Sequence, residues 1–473
     1  MTGTGGPSAA GGTAGTGGPA WAGAWVADRL GVRLADGARP VGAGLSDLVG
    51  LAVRRNPRRA HLLVSAVLGK HVPTDPRLVY GAGLLLGGLV RARLHDVDVP
   101  SRAGAFLTDA LDGAPGAAAA LRDVLSEPQD PLDAIVFGYA ETATALGHSV
   151  ADALGGAYYL HSTRRPVPGF TAYGGFEEEH SHATSHLLLP ANPADLDRDV
   201  PMVLVDDELS TGRTVLNTIE ALHAVRPRRH YVLAALVDLR GDEDRARMDA
   251  LAARLGARID AVALAAGRVE LPDGILDAGR ALVASLTGPA AAPAAPAAPV
   301  TGAFPVTRAR LDWPSGLPDG GRHGFLPSHR ARLDKDLPRM ADTIADGLGD
   351  GFSRVLVLGF EELMYAPLRL AEALADALPD ADVRYSTTTR SPVLAVDDPG
   401  YAIRTRLAFP AHDDPADGPG ERYAYNVSAG FDRIVFAVDG PGDTGALAGG
   451  LLARLRALAP VTIATVPSRR RDA

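Results

Sequence analysis

The sequence predicts an α/β protein with parallel sheets, and three observations support that fold class. Short apolar runs at 134–137, 157–160 and 202–205 have the length of buried strands. Longer stretches repeat apolar residues at helical spacing, as 215–225 does. A second series of the same kind follows the Ala/Pro tract at 289–300. Strands that alternate with helices favour a parallel sheet covered by helices on both faces.

Composition predicts a soluble, cytoplasmic protein. Hydrophobic residues make up 46% of the 473 residues, and the formal net charge of −9 argues against a broad nucleic-acid surface. The chain has no cysteine, which excludes disulfides, thiolate metal sites and a cysteine nucleophile. The first 20 residues do not have the pattern of a signal peptide, and the apolar run 78–90 is too short to span a bilayer. We therefore expect neither a membrane nor a nucleic-acid polymer among the partners.

Low-complexity segments divide the chain into two folded regions. Residues 1–20 are predicted to be a disordered tail, and 288–303 a semi-extended Ala/Pro linker. The folded regions are then 21–287 and 304–467. Residues 468–473 form a basic tail, which is more typical of a solvated chain end than of a binding element.

The most informative motif runs from a strand into a helix. The apolar run 203–205 is followed by Asp206 and Asp207, then by a small polar loop and an apolar pattern of helical spacing. Parallel sheets bind ligands at this end of their strands, and helix N-termini favour phosphate. Two carboxylates beside such a loop suit a molecule with both a phosphate and a diol, such as ribose 5-phosphate. The alternative is that the acids only cap the helix, although one would suffice for that.

This motif resembles the phosphoribosyl-pyrophosphate (PRPP) signature of type I phosphoribosyltransferases of the orotate-phosphoribosyltransferase-like kind. The resemblance implies the parallel-sheet fold of that family with an N-terminal helical hood. It also implies that Asp206 and Asp207 bind the ribose hydroxyls of PRPP and that Mg²⁺ accompanies the diphosphate. No side chain is assigned as a catalytic group or as a metal ligand. The implied ligands of the 5′-phosphate are Ser210, Thr211, Gly212, Arg213 and Thr214.

The resemblance also indicates two segments that contact pyrophosphate. They follow the strands at 134–137 and 157–160, where the family binds the leaving group. Adjacent arginines in the second segment suit a diphosphate, because each guanidinium can form paired hydrogen bonds. The alternatives are an ordinary turn for the first segment and a solvated arginine pair for the second. The implied pyrophosphate ligands are Tyr139, Ala140, Glu141, Thr142, Arg164 and Arg165.

The insertion 169–186 matches the mobile loop that closes over the site in that family. A lid that excludes water is useful there, because the oxocarbenium-like state at the anomeric carbon hydrolyses readily. The insertion contains His180 and His182, so a metal site is one alternative and a plain flexible loop is another.

Basic segments upstream of the sheet predict the surface that binds the acceptor. The stretches 55–59 and 67–73 resemble segments of a narrower group, the phosphoribosyltransferases of bacterial tellurium-resistance and stress gene clusters. The turn 238–240 is where the broader family often contacts the acceptor ring. The resulting acceptor candidates are Arg58, Lys70, His71, Asp238 and Arg240.

The second folded region repeats the order of the first, which predicts a duplication. The alternative is that every α/β chain contains strand-Gly-helix units. The matched segments are 134–141 with 355–362, 162–167 with 388–393, 188–190 with 408–410, and 203–212 with 435–445.

The second copy contains the segment 389–392, Thr-Arg-Ser-Pro, the tetrapeptide after which TRSP domains are named. Domains of this kind follow phosphoribosyltransferase domains in the same gene clusters. It is therefore predicted to be a degenerate phosphoribosyltransferase-like domain. Val438 stands where Asp206 stands in the first copy, so we expect poor PRPP binding and at most a lone phosphate held by Arg390, Thr444 and Gly445. The candidate site residues of this copy are Thr389, Arg390, Ser391, Asp439, Thr444 and Gly445.

These observations predict a Mg²⁺-dependent phosphoribosyltransferase. It would transfer ribose 5-phosphate from PRPP to a small base-like acceptor, or run the reverse reaction with pyrophosphate, in a tellurium-resistance or stress pathway. The alternative is a non-catalytic regulator that binds PRPP or a nucleotide and signals through the second domain. The long lid candidate favours the enzyme. A homodimer is compatible with either function.

Overall fold

The computed structural model describes residues 24–54, 59–95, 97, 99, 101–177, 185–287, 303–413 and 420–468. The tail predicted for 1–20 lies outside these residues, as do nearly all of the predicted linker and basic tail. The proposed domain boundaries therefore stay predictions.

In the N-terminal half, helices alternate with the core strands as the sequence predicts. The helices are α1 (Ala24–Leu30), α2 (Leu45–Leu48), α3 (Pro76–His95), α4 (Ser101–Leu111), α5 (Ala117–Leu125), α6 (Thr144–Leu154), α7 (Arg213–Val225), α8 (Asp242–Leu255) and α9 (Ile275–Thr287). The strands are β1 (Arg33–Asp36), β2 (Val49–Val53), β3 (His61–Ser65), β4 (Ile135–Gly138), β5 (Tyr158–His161), β6 (Gly174–Glu177), β7 (Ser185–Leu188), β8 (Met202–Leu209), β9 (His230–Asp238) and β10 (Arg258–Glu270).

The C-terminal half repeats this alternation over a shorter chain. Its strands are β11 (Val306–Ala309), β12 (Arg354–Gly359), β13 (Asp382–Thr387), β14 (Arg406–Pro410), β15 (Glu421–Tyr425), β16 (Arg433–Asp439) and β17 (Val461–Val466). Its helices are α10 (Pro327–Leu348), α11 (Tyr365–Ala377), α12 (Gly445–Gly449) and α13 (Leu451–Leu455).

The first half is built on a six-stranded sheet with the order β1-β10-β9-β8-β4-β5. Strands β10, β9, β8, β4 and β5 are parallel, and β1 lies antiparallel at the edge. Two hairpins, β2–β3 and β6–β7, project from the sheet. The predicted parallel-sheet α/β fold is confirmed.

The second half has a five-stranded parallel sheet with the order β11-β17-β16-β12-β13. The series β13-β12-β16-β17 repeats β5-β4-β8-β9 of the first sheet. The register is also repeated: Ile135 pairs with Tyr158 in the first half, and its equivalent Leu356 pairs with Arg384 in the second. The halves differ at the next strand, because β10 follows β9 in the chain whereas β11 precedes the rest of its sheet. The second half is therefore a phosphoribosyltransferase-like sheet, as predicted.

The hood is only partly helical. Helices α3, α4 and α5 fit the prediction, but β2 and β3 pair as antiparallel strands. The reason lies in the apolar pattern of β3, where alternate residues are buried. Of the basic segment 55–59, only Arg59 lies within the described residues.

One predicted match between the halves is shifted. Leu187 of β7 pairs with Thr163, and Tyr423 of β15 pairs with the equivalent Thr389. The hairpin strand β7 thus corresponds to β15 and not to β14, which was the strand matched by sequence. Similar short apolar strands on both sides of a hairpin made the two alignments hard to distinguish.

One apolar cluster spans both halves. It combines residues of α3 and α6 with residues of α10 and α11, for example Leu84 and Leu368. At its polar centre the Asp152 carboxylate accepts hydrogen bonds from Tyr80 Oη at 2.9 Å and from Tyr365 Oη at 2.7 Å. Because the core is shared, the two halves form one folded unit.

Backbone hydrogen bonds cross the interface reciprocally. Tyr159 of β5 exchanges two hydrogen bonds with Phe325, at 2.9 and 2.8 Å. The equivalent Tyr385 of β13 exchanges two with Thr74, at 2.8 and 3.0 Å. Such reciprocity is typical of an isologous dimer interface. The halves are therefore arranged as a dimer within one chain.

Candidate functional site

The carboxyl end of β8 presents three consecutive acidic residues. Because β8 continues to Leu209, Asp206, Asp207 and Glu208 stand on the strand and not in the loop after it. All three are partly exposed, and the backbone N–H of Asp207 donates to the Asp206 carboxylate at 2.9 Å. Strand β4 is the parallel neighbour of β8, so this edge lies beside the loop that follows β4. The predicted ribose ligands thus meet the predicted pyrophosphate loop.

The predicted phosphate loop turns directly into α7. Gly212 has φ 71° and ψ 1°, a left-handed conformation that glycine adopts with little strain. The helix begins at Arg213, whose backbone N–H donates to Thr211 Oγ1 at 3.4 Å. Ser210 and Thr214 flank this turn and are partly exposed. A helix start surrounded by hydroxyl groups is a suitable site for a phosphate.

Asp238 and Arg240 form an ion pair that packs against the phosphate loop. Arg240 Nε and Nη2 donate to the two Asp238 carboxylate oxygens, both at 2.9 Å, and both residues are buried. A Cβ added at Gly212 would lie 3.1 Å from Arg240 Cδ, so the pair packs against the phosphate loop. The two residues were predicted to bind the acceptor. The structure instead gives them a paired, buried position that fixes the loop.

The predicted pyrophosphate loop is anchored on both sides. The backbone N–H of Ala140 donates to Ser162 Oγ at 2.9 Å, and that hydroxyl is 2.8 Å from His186 Nδ1. On the other side, Lys70 Nζ donates to Thr142 Oγ1 at 2.6 Å. Lys70 was predicted to bind the acceptor, but this contact places its charge at the pyrophosphate loop.

The predicted lid forms a hairpin next to this loop. Strands β6 and β7 pair antiparallel, and the chain between them, 178–184, lies outside the described residues. The prediction that this segment closes over the site, and the metal-site alternative at His180 and His182, therefore stay predictions.

Glu208 lies among basic residues of the hood. Its Oε1 is 3.7 Å from Arg59 Nη1, and the charges of Arg54 and Lys70 also act on it. Burial, together with the charge of Asp207, raises the pKa of Glu208 to about 7. The predicted acceptor ligand Arg58 lies outside the described residues.

Two predicted ligands are buried in packing positions. The His71 ring packs against Tyr425 with the ring centroids 5.5 Å apart, and its carbonyl accepts from Asn426 Nδ2 at 2.9 Å. Burial holds the pKa of His71 well below its ordinary value, so the ring is neutral. Tyr139 is buried in the apolar cluster that includes Phe137. Their burial argues against side-chain contact with a ligand, and both assignments stay predictions.

Arg165 points into the other half of the chain. Its Nη1 lies 2.9 Å from Asp439 Oδ2, and its Nη2 lies 3.1 Å from Asp413 Oδ2. All three side chains are at most 8% exposed, so the guanidinium is fully engaged in buried ion pairs. It was predicted to bind pyrophosphate. The structure places it instead at the edge of the second sheet, because a buried carboxylate needs a charged partner.

Glu141 and Glu362 occupy equivalent positions after β4 and β12, and each binds the opposite half. Glu362 accepts hydrogen bonds from Thr163 Oγ1 at 2.7 Å and from the next backbone N–H at 3.0 Å. Glu141 accepts from Thr389 Oγ1 at 3.1 Å and from the next backbone N–H at 3.4 Å. Each half thus fixes the Thr-Arg turn of the other.

In the second half, the position equivalent to the acidic site lies at the carboxyl end of β16, and groups of the protein itself occupy it. Asp439, the equivalent of Asp207, is 1% exposed and accepts from the backbone N–H of Gly442 at 2.8 Å as well as from Arg165. Thr444 Oγ1 donates to the backbone carbonyl of His412. This arrangement leaves the second acidic site occupied by hydrogen bonds and ion pairs.

Arg390, predicted to bind a phosphate together with Thr444 and Gly445, contacts two carboxylates. Its Nη2 lies 2.7 Å from Glu361 Oε2, and its Nε lies 3.6 Å from Glu141 Oε1. Thr444 and Gly445, the other predicted phosphate ligands, lie at the start of α12, which has five residues. The lone phosphate site at these three residues therefore stays a prediction.

Several residues at the site were missed by the sequence analysis. Glu208 directly continues the acidic pair, and that third carboxylate was a visible signal. Glu362 was also visible as the equivalent of Glu141 in the duplicated segments. Arg54 had no comparable signal, because only the tertiary structure brings it near Asp207 and Glu208.

Two general properties of the described residues bear on ligands. No group of three or more His, Asp or Glu side chains among them is arranged to hold a metal ion. The helices in this part of the chain also include none long and apolar enough to cross a membrane.

Two family models match this chain, one in each half. Residues 48–268 match a family described as phosphoribosyl transferase, and 319–455 match the TRSP domain that lies C-terminal to it. A comparison with curated proteins gave no match.

Solved structures of adenine phosphoribosyltransferases resemble parts of the chain. The enzyme of Trypanosoma brucei, in complex with AMP, pyrophosphate and ribose-5-phosphate, is 17% identical with a TM-score of 0.23, over 30% of this chain and 60% of that one. The enzyme of Rhodothermus marinus is 15% identical with a TM-score of 0.27, over 46% and 94%. The enzyme of Giardia lamblia is 19% identical with a TM-score of 0.22, over 31% and 79%. This chain thus spans less than two thirds of the first of these relatives.

Proposed function

Because this chain carries a phosphoribosyl transferase domain followed by a TRSP domain, we propose that it is a PRPP-dependent enzyme. It transfers ribose 5-phosphate from PRPP to a small base-like acceptor, or runs the reverse reaction with pyrophosphate. The observation that carries this proposal is the edge of the first sheet, where the acidic end of β8 adjoins both the start of α7 and the loop after β4. These three features supply separate positions for a diol, a phosphate and a diphosphate.

The proposed binding mode follows from the chemistry of each feature. The carboxylates of Asp206 and Asp207 accept hydrogen bonds from the ribose hydroxyls, which are charge-assisted and therefore strong. The backbone N–H groups at the start of α7 and the hydroxyls of the loop 210–214 donate to the 5′-phosphate. Lys70, held at Thr142, and Arg164, in the turn after β5, supply positive charge for the diphosphate.

In the proposed reaction the bond between C1′ and the diphosphate oxygen breaks, and the electron pair leaves with the diphosphate. A bond from C1′ to a nitrogen of the acceptor then forms, and the proton of that nitrogen passes to the released diphosphate or to water. The side chains named above hold the ribose and both phosphate groups in place, and Lys70 stabilises the charge that develops on the leaving group. Catalysis is therefore mainly positional and electrostatic.

The donor set fits Mg²⁺. Carboxylate oxygens such as those of Asp206 and Asp207 are the hard ligands that this ion prefers, together with substrate phosphates. Bound Mg²⁺ would neutralise part of the diphosphate charge.

The acceptor is proposed to lie between the end of β8 and the β2–β3 hairpin. Arg54, Arg59 and Glu208 meet there, and the pKa of Glu208 near 7 allows this carboxyl group to donate or accept a hydrogen bond at neutral pH. Such a surface suits a heterocyclic base, which carries both donors and acceptors.

The direct test is product formation by the full-length protein with Mg²⁺, PRPP and a panel of bases, followed by mass spectrometry. A panel of nucleotides with pyrophosphate tests the reverse direction. We expect a ribose 5-phosphate adduct of one base class, and its loss in the Asp206→Asn/Asp207→Asn double variant. PRPP binding without turnover for any acceptor would favour a regulatory role, and no PRPP binding would contradict both functions.

A further inference from the structure

The second half contacts the hairpin beside the pyrophosphate loop. Residues 319–325, which precede α10, pack against the segments on both sides of the β6–β7 hairpin. We propose that the second half is a positioning partner of the first site: His323 fixes β7, and β7 fixes the pyrophosphate loop, residues 139–142, through His186 and Ser162. This inference rests on the proposed function, because the diphosphate is assigned to that loop. None of these three residues is assigned as a ligand.

His323 holds both ends of the β6–β7 hairpin. Its ring stacks on the Phe170 ring before β6, with the ring centroids 3.6 Å and the planes 12° apart. Its Nδ1 lies 2.8 Å from the carbonyl of Leu189, directly after β7, and since a carbonyl only accepts, Nδ1 carries the proton. The backbone carbonyl of His323 accepts from the N–H of Ala191 at 2.9 Å. Because His323 is 5% exposed, these contacts are shielded from water.

The segment that carries His323 is itself attached to both sheets. Phe325 exchanges two backbone hydrogen bonds with Tyr159 of β5. Arg322 Nε donates to Glu362 Oε2 at 3.3 Å, in the loop after β12. His323 therefore belongs to a fixed element of the second half and can hold the hairpin of the first half in one position.

Strand β7 connects this element to the pyrophosphate loop. His186 lies three residues before Leu189 and is fully buried, as is Ser162. Ser162 Oγ accepts from the backbone N–H of Ala140 at 2.9 Å, so its own proton can be donated to His186 Nδ1, 2.8 Å away. A shift of β7 would therefore either break this chain of hydrogen bonds or move the loop with it.

The second half contains the same connection, made with different side chains. Thr388 is the equivalent of Ser162, and its Oγ1 accepts from the backbone N–H of Glu361 at 3.1 Å. The equivalent of His186 is Arg422, since each directly precedes the hairpin residue that bridges to the turn after the second core strand. Arg422 forms an ion pair with the side chain of Glu361. In each half the hairpin is thus joined to the loop after the first core strand.

The two connections differ in the charge that they bring to the loop. In the second half the connection needs a carboxylate on the loop, that of Glu361. In the first half Ala140 stands at this position, and the connection is made by a hydroxyl and an imidazole. A carboxylate at position 140 would repel a diphosphate. The first loop is therefore held in place by groups that leave position 140 without a negative charge.

The test compares Ser162→Ala with Ser162→Thr and Thr388→Ala in the full-length protein. Calorimetry with Mg²⁺ measures the binding of pyrophosphate, PRPP and ribose 5-phosphate. For Ser162→Ala we expect affinity for pyrophosphate and PRPP to fall about three- to tenfold, as for the loss of one neutral hydrogen bond, whereas ribose 5-phosphate binds as before. Ser162→Thr copies the residue of the second half and should keep wild-type affinity. Thr388→Ala removes the matching hydrogen bond of the other loop and should leave all three affinities unchanged.

A second set of variants tests the link to the second half. His186→Asn keeps an acceptor for Ser162 and should bind pyrophosphate more tightly than His186→Leu, which has none. His323→Phe keeps an aromatic ring against Phe170 but loses the donor to Leu189, so we expect pyrophosphate affinity to fall about two- to tenfold. The same change should have little further effect in Ser162→Ala, because both act through one chain of contacts. Additive losses would overturn the role of His323.

Amide hydrogen exchange separates this inference from the proposed function, because it needs no ligand. Peptides that cover residues 139–143 should exchange faster in Ser162→Ala than in the wild type or Ser162→Thr. If they do, and the wild type binds neither PRPP nor pyrophosphate, the proposed function fails while the positioning of the loop stands. Unchanged exchange and diphosphate affinity in Ser162→Ala would overturn the inference. An equal loss of ribose 5-phosphate binding, or the same loss in Thr388→Ala, would also overturn it. Should Ser162→Ala not fold, the comparison of His186→Asn with His186→Leu decides in its place.

Discussion

The Arg165 guanidinium and the Asp439 carboxylate form a buried ion pair that joins the two halves, with Nη1 and Oδ2 2.9 Å apart. Asp439 stands at the position of the proposed ribose ligand Asp207 in the first half. An arginine of the first half therefore occupies the place where a ligand would bind in the second. Asp413 completes the pairing at 3.1 Å. The second site is thus part of the interface between the two halves.

Removing this arginine should destabilise the protein without affecting the first site. Arg165→Met leaves Asp439 and Asp413 buried with only more distant cations, Arg322 and Arg422, each at 3.9 Å. Because breaking a buried pair outright costs about 3–5 kcal/mol, we expect a loss of up to that size. Urea denaturation would measure this loss in the free energy of unfolding. Arg404→Met is the matched control, because Arg404 pairs with Asp397 at the surface, where we expect about 1 kcal/mol or less. Equal losses in both variants would show that the buried ion pair stabilises the fold no more than the surface pair does.

The acidic pair of the first half should dominate PRPP binding. Asp206→Asn/Asp207→Asn keeps the shape of the side chains but removes their charge, and each charge-assisted hydrogen bond is worth about 1.5–3 kcal/mol. We expect calorimetry to show PRPP affinity reduced at least tenfold. Asp439→Asn, at the equivalent place in the second half, should bind PRPP like the wild type. Unchanged binding in the double variant would remove the basis for the ribose assignment.

Glu208 should make stability depend on pH in a defined direction. Its folded-state pKa of about 7 lies above the ordinary glutamate value of 4.5, so the folded protein binds a proton more tightly than the unfolded chain. This contribution is fully present below pH 4.5 and is lost as the pH rises towards 7, by up to about 3 kcal/mol. Unfolding curves of wild type and Glu208→Gln should therefore diverge over this range, with the variant relatively more stable at pH 7. Parallel curves would contradict the raised pKa.

Close packing at the interface should make Gly321 intolerant of a side chain. A Cβ at this position would lie 2.3 Å from the Tyr159 ring, in the contact where Phe325 pairs with β5. Gly321→Ala must displace a fully buried ring, and overpacking of this kind costs about 1–3 kcal/mol. Gly449→Ala is the control, since a Cβ there meets nothing within 4 Å. Thermal unfolding of both variants would check the difference, and a stable Gly321→Ala protein would mean that the tyrosine can move.

The sequence was sufficient for the parts of the structure that depend on local patterns. The strand-loop-helix around Asp206 and Gly212 was predicted correctly, because apolar periodicity and a glycine at the turn are local signals. The correspondence between the strands of the two sheets was also predictable from the repeated segments. The direction of a long side chain was not. Arg164 and Arg165 are neighbours in sequence, yet the side chain of Arg165 crosses to Asp439, and only the packed interface determines this.

Tertiary contacts also explain why several acceptor candidates do not lie at an exposed surface. Asp238 and Arg240 resembled exposed ligands, but they satisfy each other in a bidentate pair behind Gly212. His71 resembled a polar residue at a binding surface, but the second half covers it with Tyr425. No pattern in the first half could show this, because the covering residues lie more than 300 positions further along the chain.

Arg165 and Ser391 occupy equivalent positions, because the backbone N–H of each donates to the threonine two residues earlier. The difference between them has a consequence for how this protein arose. In a homodimer encoded by a single gene, an arginine that fills one site is present in both subunits and closes both. Once the two copies are joined in one chain, each position can change alone. One copy can then give up ligand binding and become a fixed partner for the other, and the chain keeps a two-subunit arrangement with a single working site.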